Sequence, residues 1–261
     1  MNPYINHLFD LSNKHVVVTG AGGHLCGAMA VGLAQAGAAS VTVCDLRLEK
    51  SQAVVEQIRT LGFNNALAVQ MDVTKKQSHL EVLNQVLDQF GHCNVLINGA
   101  GINGPTPFFD IQEDEWNAIM DSQLKGTVFG CQIFGKHMVS QNQGSIINIS
   151  SASADPPLSR AFAYSAAKAG VVNLTKNLAR EWGTQGVRVN AIRPGFFPTE
   201  WNRKNFITAE REAAILGHTA MRRYGEPNEL VGAVIYLASD ASSFITGTEL
   251  TVDGGFACQT I

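Results

Sequence analysis

The sequence predicts a single doubly wound α/β domain, and three observations carry that prediction. Short apolar runs alternate with longer helical patterns, no repeat or low-complexity linker divides the 261 residues, and the polar residues with useful chemistry stand where the apolar runs end. HVVVTG (15–20), SVTVCD (40–45), ALAVQMD (66–72), NVLING (94–99), SIINISS (145–151) and VRVNAIRPG (187–195) are nearly continuous in apolar character. Parallel strands buried on both faces read this way, whereas a half-exposed strand would alternate. Helical patterns fill the intervals at roughly 27–37, 48–61, 75–90, 113–140 and 162–182. Thr74 and Gln77 have the spacing of a capping box at the start of the third. A helix near 228–238 follows Pro227, and a last strand, ELTVD, ends at Asp253. Repeated βαβ units predict a parallel sheet with helices on both faces and right-handed crossovers. The ligand crevice of such a sheet lies beyond the carboxyl ends of its strands.

Composition narrows the function. Apolar residues make up 45% and charged residues 16% of the chain, enough for a large core. A net charge of −3 without a basic block speaks against nucleic acid or an anionic membrane as partner. No apolar run reaches the ~20 residues of a membrane span, and MNPYINHLFDLSNK lacks a signal-peptide pattern, so a cytoplasmic location is expected. The scattered cysteines, Cys26, Cys44, Cys93, Cys131 and Cys258, have no metal-ligand spacing, and no metal is expected.

The first strand ends in TGAGGHLCG, residues 19–27, directly before a helix. Glycines there let backbone N–H groups approach a pyrophosphate, and the helix N-terminus favours its charge. Gly20, Gly22, Gly23, His24 and Leu25 are therefore candidate cofactor contacts. Asp45 ends the second strand, where a carboxylate can accept from both adenosine ribose hydroxyls and repel a 2′-phosphate. This favours NAD(H), with NADP(H) left open by the nearby Arg47. Asp72 and Val73, ending the third strand, are placed to meet the adenine. Asn98, Gly99, Ala100 and Gly101 supply small residues at the end of the fourth.

Twelve residues separate Ser151 from Tyr164, and three separate Tyr164 from Lys168, which puts the last two one helical turn apart. A tyrosine acting as a general base near neutrality must fall from about 10 to about 7, a preference for phenolate of about 4 kcal/mol. A neighbouring ammonium and the positive ring of NAD+ can supply it. Ser-x12-Tyr-x3-Lys behind a glycine-rich first turn resembles the short-chain dehydrogenase/reductase family, over nearly the whole chain. The matching pieces are TGAGG (19–23), Asp72, NGAG (98–101), Ser151, YSAAK (164–168), RPG (193–195) with Thr199, and VDGG (252–255).

The resemblance implies a Rossmann-type fold and hydride transfer between a nicotinamide and a secondary alcohol or ketone. It makes Tyr164 the acid/base, Ser151 the group that orients the substrate oxygen, and Lys168 the holder of the nicotinamide ribose. Pro194, Gly195, Phe197 and Thr199 would contact the carboxamide side, and Ser153 would join Ser151 at the substrate. Homotetramers are expected, with helices 113–140 and 162–182 packing against their twins. Three departures stand out. His24 and Cys26 occupy places where the family has glycines, so the loop can run differently. Gln123 stands where the family has an asparagine that helps bind a proton-relay water, which puts that relay in doubt and also admits a non-catalytic nucleotide-binding regulator. Arg160, just before the tyrosine helix, could clamp a substrate carboxylate.

The segment at about 196–225, FFPTEWNRKNFITAEREAAILGHTAMRRYG, should set substrate choice. Phe196, Phe197 and Trp201 can line a pocket, and Asn202 and Arg203 offer polar contacts to substrate. LCGAMA (25–30), FFPTEWNRK (196–204) and HTAMRRYGEP (218–227) look most like the sugar-acid branch, which resembles mannonate and gluconate oxidoreductases. The expected substrate is a small polyhydroxylated or carboxylated molecule. A 3-oxoacyl thioester and a neutral polyol remain the alternatives.

Overall fold

The structure, a computed structural model, describes residues 3–155, 158–199, 203 and 207–259. Its seven strands form one parallel sheet: β1 (His15–Thr19), β2 (Ser40–Asp45), β3 (Ala66–Gln70), β4 (Val95–Asn98), β5 (Gly144–Ile149), β6 (Val187–Pro194) and β7 (Glu249–Val252). The order across the sheet is β3-β2-β1-β4-β5-β6-β7, so the winding reverses between β1 and β4. Val17 pairs with Thr42 of β2 and with Leu96 of β4, and the crevice at that switch point opens beyond Thr19 and Asn98.

Each strand feeds both faces of the sheet because successive side chains alternate. Val16 and Val18 pack with Met29 and Leu33 of α2 (His24–Gln35), and with Val234 and Leu237 of the helix Val231–Ala238. Val17 and Leu96 pack on the other face with Val82 and Val86 of the helix Lys76–Phe90, and with Phe134 and Met138 of the helix Gly126–Ser140. In chain order the helices are α1 (Pro3–Leu8), α2, α3 (Leu48–Thr60), α4 (Lys76–Phe90), α5 (Glu113–Met120), α6 (Gly126–Ser140), α7 (Phe162–Trp182), α8 (Ala209–His218) and α9 (Val231–Ala238). Burying one such Leu, Val or Phe side chain contributes about 1.5–3 kcal/mol.

Four local expectations need correction. Helix α2 begins at His24 rather than 27, because Gly23 caps it and accepts from Gly27 N–H at 2.8 Å. Thr74 and Gln77 form no capping box: the Thr74 hydroxyl donates to Asp72 Oδ1 at 2.7 Å, Gln77 donates to Glu81, and Lys75 stands at the cap position. A capping box does form downstream, between Glu226 and Glu229, where Pro227 opens a 3₁₀ turn (Pro227–Leu230) leading into α9. The helical pattern at 113–140 is interrupted by a π-turn, Asp121–Lys125, which separates α5 from α6 and carries Gln123. Single π-turns inside helices are frequent at functional sites.

The cysteines behave as small core residues: Cys26, Cys44, Cys93 and Cys131 are buried, and all five are free. Burial pushes the Cys93 and Cys131 thiols up to about 12. Among the described residues no helix is long and apolar enough to cross a membrane.

Candidate active site

A cleft of about 890 Å³ runs along the carboxyl ends of β1–β6. One wall is made largely by backbone. Thr19, the last residue of β1, accepts from Gly99 N–H at 3.1 Å and so ties β1 to the end of β4. Gly20 adopts φ +69°, and a Cβ on it would lie 2.6 Å from Ala100 Cα, so the first turn tolerates no side chain there. At Gly22 a Cβ would fall 2.8 Å from the Asp45 carboxyl carbon. Glycine at that position gives Asp45 its room. Gly20, Gly23, His24, Leu25, Asp45, Asp72, Val73 and Ala100 all line this wall, whereas Gly22 stands behind Asp45. His24 takes the place of a loop glycine as the first, exposed residue of α2. Asp45 accepts from Arg47 N–H at 3.0 Å, and the Arg47 guanidinium, largely exposed, lies 3.8 Å away.

Asn98 departs from its expected place. Its side chain is buried and donates to Asn148 Oδ1 at 2.9 Å, and Asn148 donates in turn to Thr175 on α7 at 2.9 Å. It ties β4 to β5 and to α7 inside the core instead of lining the cleft. A buried amide must find partners, and the core supplied them.

Ser151, Tyr164 and Lys168 meet in the cleft. Ser151 sits beyond β5 in extended backbone, and its hydroxyl accepts from both the N–H and the hydroxyl of Ser153, each at 3.1 Å. Tyr164 and Lys168 project from the first turns of α7. The Lys168 ammonium donates to the Ile149 carbonyl at 2.6 Å and lies 5.5 Å from the centre of the Tyr164 ring. Burial pushes Lys168 down to about 8. Burial also pushes Tyr164 above its ordinary value, while hydrogen bonding to Ser151 pulls the other way and the Cys26 thiol adds to the rise. Desolvation disfavours the phenolate, and the same burial weakens the lysine's own charge.

Gln123 lines the cleft from the π-turn. Its Nε2 donates to the Ile102 carbonyl at 2.8 Å, and its Oε1 is buried without a partner among the described residues. The side chain is packed so closely against Gly101 that a Cβ there would meet it at 2.3 Å. The longer amide is thus folded back on the β4 turn, and its main-chain carbonyl accepts from Thr127 at 2.7 Å.

Beyond β6, Phe197 and Thr199 line the cleft, while Pro194 is buried in the strand and Gly195 donates to Val252 at 2.9 Å, closing β6 onto β7. Two arginines expected at the substrate are elsewhere. Arg160 is exposed in a left-handed turn, φ +58°, and does not line the cleft. Arg203 turns outward, stacking 4.6 Å over the Tyr224 ring and lying 3.9 Å from Glu212. Asn202 and Trp201 lie outside the described residues. Among the residues that sequence reasoning missed are Cys26, Asn103 and Arg211, which line the same cleft. Cys26 had a signal, since it stands at a position where a glycine was expected. Arg211 had none, because only the rotation of α8 decides which of its polar residues face inward.

The sequence profile of the family described as Enoyl-(Acyl carrier protein) reductase matches residues 23–257. The 2-dehydro-3-deoxy-D-gluconate 5-dehydrogenase of Escherichia coli K12 is 33% identical, over 96% of this chain and 98% of its own. A 3-oxoacyl-[acyl-carrier-protein] reductase of Staphylococcus epidermidis is 35% identical, over 93% of this chain and 98% of its own. The chain belongs to the short-chain dehydrogenase/reductase family. A gluconate 5-dehydrogenase from Burkholderia cenocepacia, solved with NADP and tartrate, superposes with a TM-score of 0.92 at 32% identity, covering 98% of this chain and all of that one. As a short-chain dehydrogenase/reductase, the protein is an NAD(P)-dependent oxidoreductase acting on CH–OH groups, related to the gluconate dehydrogenases.

Proposed function

We propose that the protein transfers hydride between NAD(H) and a sugar acid or keto-sugar acid, with Tyr164 as proton donor and acceptor. The observation that carries the reaction is the meeting of Ser151, Tyr164 and Lys168 in one cleft whose other end holds Asp45. The cleft suits a dinucleotide: Gly20 and Ala100 close the floor to side chains, and the Asp45 carboxylate stands at the ribose end. Asp45 favours NAD(H), because a carboxylate accepts from ribose hydroxyls and repels a 2′-phosphate. When bound, NAD+ supplies the hydride acceptor and a positive charge near the phenol.

The side chains then divide the remaining work. In reduction, the Tyr164 hydroxyl gives its proton to the substrate oxygen as negative charge develops there. In oxidation, its phenolate takes that proton back. Ser151 donates a hydrogen bond to the same oxygen, held in position by Ser153. Lys168, anchored on Ile149, holds the nicotinamide ribose and presents its ammonium beside the ring of Tyr164. Gln123 holds the Ile102 backbone, and so the β4 turn, against the π-turn.

The sugar-acid choice rests on the gluconate dehydrogenases to which the chain is similar. A second reading, reduction of a 3-oxoacyl thioester, has support in the apolar cluster of Phe108, Phe109 and Phe162. All three are exposed, and Phe162 follows cleft-lining Ala161 directly. The proposal includes a homotetramer working in the cytoplasm, with the segment 196–225 setting substrate choice. A sedimentation mass near 28 kDa, that of one chain, would remove the tetramer from it.

The test is a spectrophotometric screen of sugar acids, neutral polyols and an acetoacetyl thioester with NADH and NADPH. Turnover of acids with NADH is expected, and turnover of the thioester alone would replace this reading by the second. Tyr164→Phe should lower kcat by roughly 100- to 10,000-fold, the range of general acid–base catalysis, with NADH binding kept. Retained turnover removes the acid/base assignment.

A further inference from the structure

Resting on the proposed sugar-acid reading and deepening it, we infer that Arg211 binds the substrate's carboxylate and makes the enzyme select acids over neutral sugars. The cleft contains three permanently or readily charged cations, Arg47, Lys168 and Arg211. Arg47 lies against Asp45 at the adenosine end. Lys168 is buried and spends its ammonium on the Ile149 carbonyl. Among the described residues the Arg211 guanidinium makes no ion pair or hydrogen bond; its charge is felt by the buried Tyr224 phenol, and its backbone N–H is engaged by the Thr208 hydroxyl that caps α8.

The carboxylates of the cleft do not compensate it. Asp45 faces Arg47, Asp121 pairs with Lys125 at 2.6 Å, and Asp72 accepts from both the N–H and the hydroxyl of Thr74. Among the described residues, the segment after β6 thus brings to the cleft one positive charge that no carboxylate pairs, alongside Phe197 and Thr199.

The rotation of α8 is fixed by contacts on both its sides. Ile215 is buried, and the spacing of four residues within the helix puts Arg211 on its face. Glu212, one position on, turns to Arg203, which is itself stacked on Tyr224. Arg203 thereby holds the helix from outside while Arg211 faces in. A guanidinium offers a planar fork of donors that matches a carboxylate with two parallel hydrogen bonds. An uncharged hydroxyl or thioester offers it much less.

The experiment compares a keto-sugar acid with its amide, each with NADH, in wild type and Arg211→Gln. The variant should raise KM for the acid roughly 10- to 100-fold, the loss of hydrogen bonds to a charged group. Its kcat, its KM for the amide and its NADH affinity by fluorescence titration should change less than about threefold, and Arg211→Lys should recover part of the acid KM. Equal losses on acid and amide, or weaker NADH binding with an unchanged acid KM, would overturn the assignment and place Arg211 on the fold or the cofactor. Acid turnover untouched by the substitution would overturn it while leaving the sugar-acid reading intact. A wild type that reduces only uncharged ketones would instead overturn the sugar-acid reading itself.

Discussion

The two walls of the cleft are built by different means. The wall at the β1–α2 turn is a backbone surface: Gly20 closes on Ala100, Gly22 makes way for Asp45, and Thr19 ties two strand ends together. The wall beyond β6 is a side-chain surface, in which Phe197, Thr199 and Arg211 reach the cleft and Arg203 turns away. A backbone surface can serve any ligand that carries a pyrophosphate, because every residue offers the same N–H group. A side-chain surface must be aimed, and its aim depends on how the helix that bears it is rotated. The first wall accordingly suits a shared cofactor, and the second a particular substrate.

Lys168 belongs to neither wall alone, and after Tyr164 its removal should have the largest effect. Lys168→Met should lower kcat/KM by roughly 100-fold, the lower end expected for loss of acid–base assistance. Its pH dependence is a sharper measurement. Burial lowers the lysine to about 8, so the ammonium is present below that pH and lost above it, well before an exposed lysine would titrate. Wild-type kcat/KM for reduction should fall as pH rises through about 8, and the variant should lack that limb. An identical alkaline limb in both proteins would assign the titration to another group.

The backbone wall makes a narrower claim, about which dinucleotide it admits. Asp45→Ala should weaken NADH relative to NADPH by about tenfold, in keeping with the loss of hydrogen bonds to a charged acceptor. The nearby Arg47, freed of its partner at 3.8 Å, then becomes available to a 2′-phosphate. Unchanged preference in parallel titrations would mean that selection lies in backbone geometry and not in this carboxylate.

The same contrast explains what could be read before the fold was seen. The parallel sheet with helices on both faces and the gathering of Ser151, Tyr164 and Lys168 at its strand ends follow from apolar runs and fixed spacings, which local sequence encodes directly, whereas the strand order does not. Asn98 was misplaced because nothing local shows that Asn148 and Thr175, from β5 and α7, would engage its amide in the core. The interruption at Asp121–Lys125 was also hidden, since a π-turn leaves the apolar pattern on either side almost undisturbed. The burial that acts on Tyr164 was hidden for a further reason: proximity of a lysine is visible in the spacing, while depth of burial is a property of the whole fold.

The smallest expected effect is the most direct check on the side-chain wall. The sequence offered Arg160, just before the tyrosine helix and four residues from Tyr164, as a carboxylate clamp. Helix α7 starts only at Phe162, and Arg160 lies before it in a left-handed turn, exposed and away from the cleft lining. The four-residue rule does not hold across a helix start, because the residues outside the helix do not share its rotation. Arg160→Ala should therefore leave KM for an acid substrate within about twofold, the behaviour of surface substitutions that touch no partner. A rise comparable to that of Arg211→Gln would show that the turn before α7 swings over bound substrate, and that selection of acids is shared between a loop and a helix.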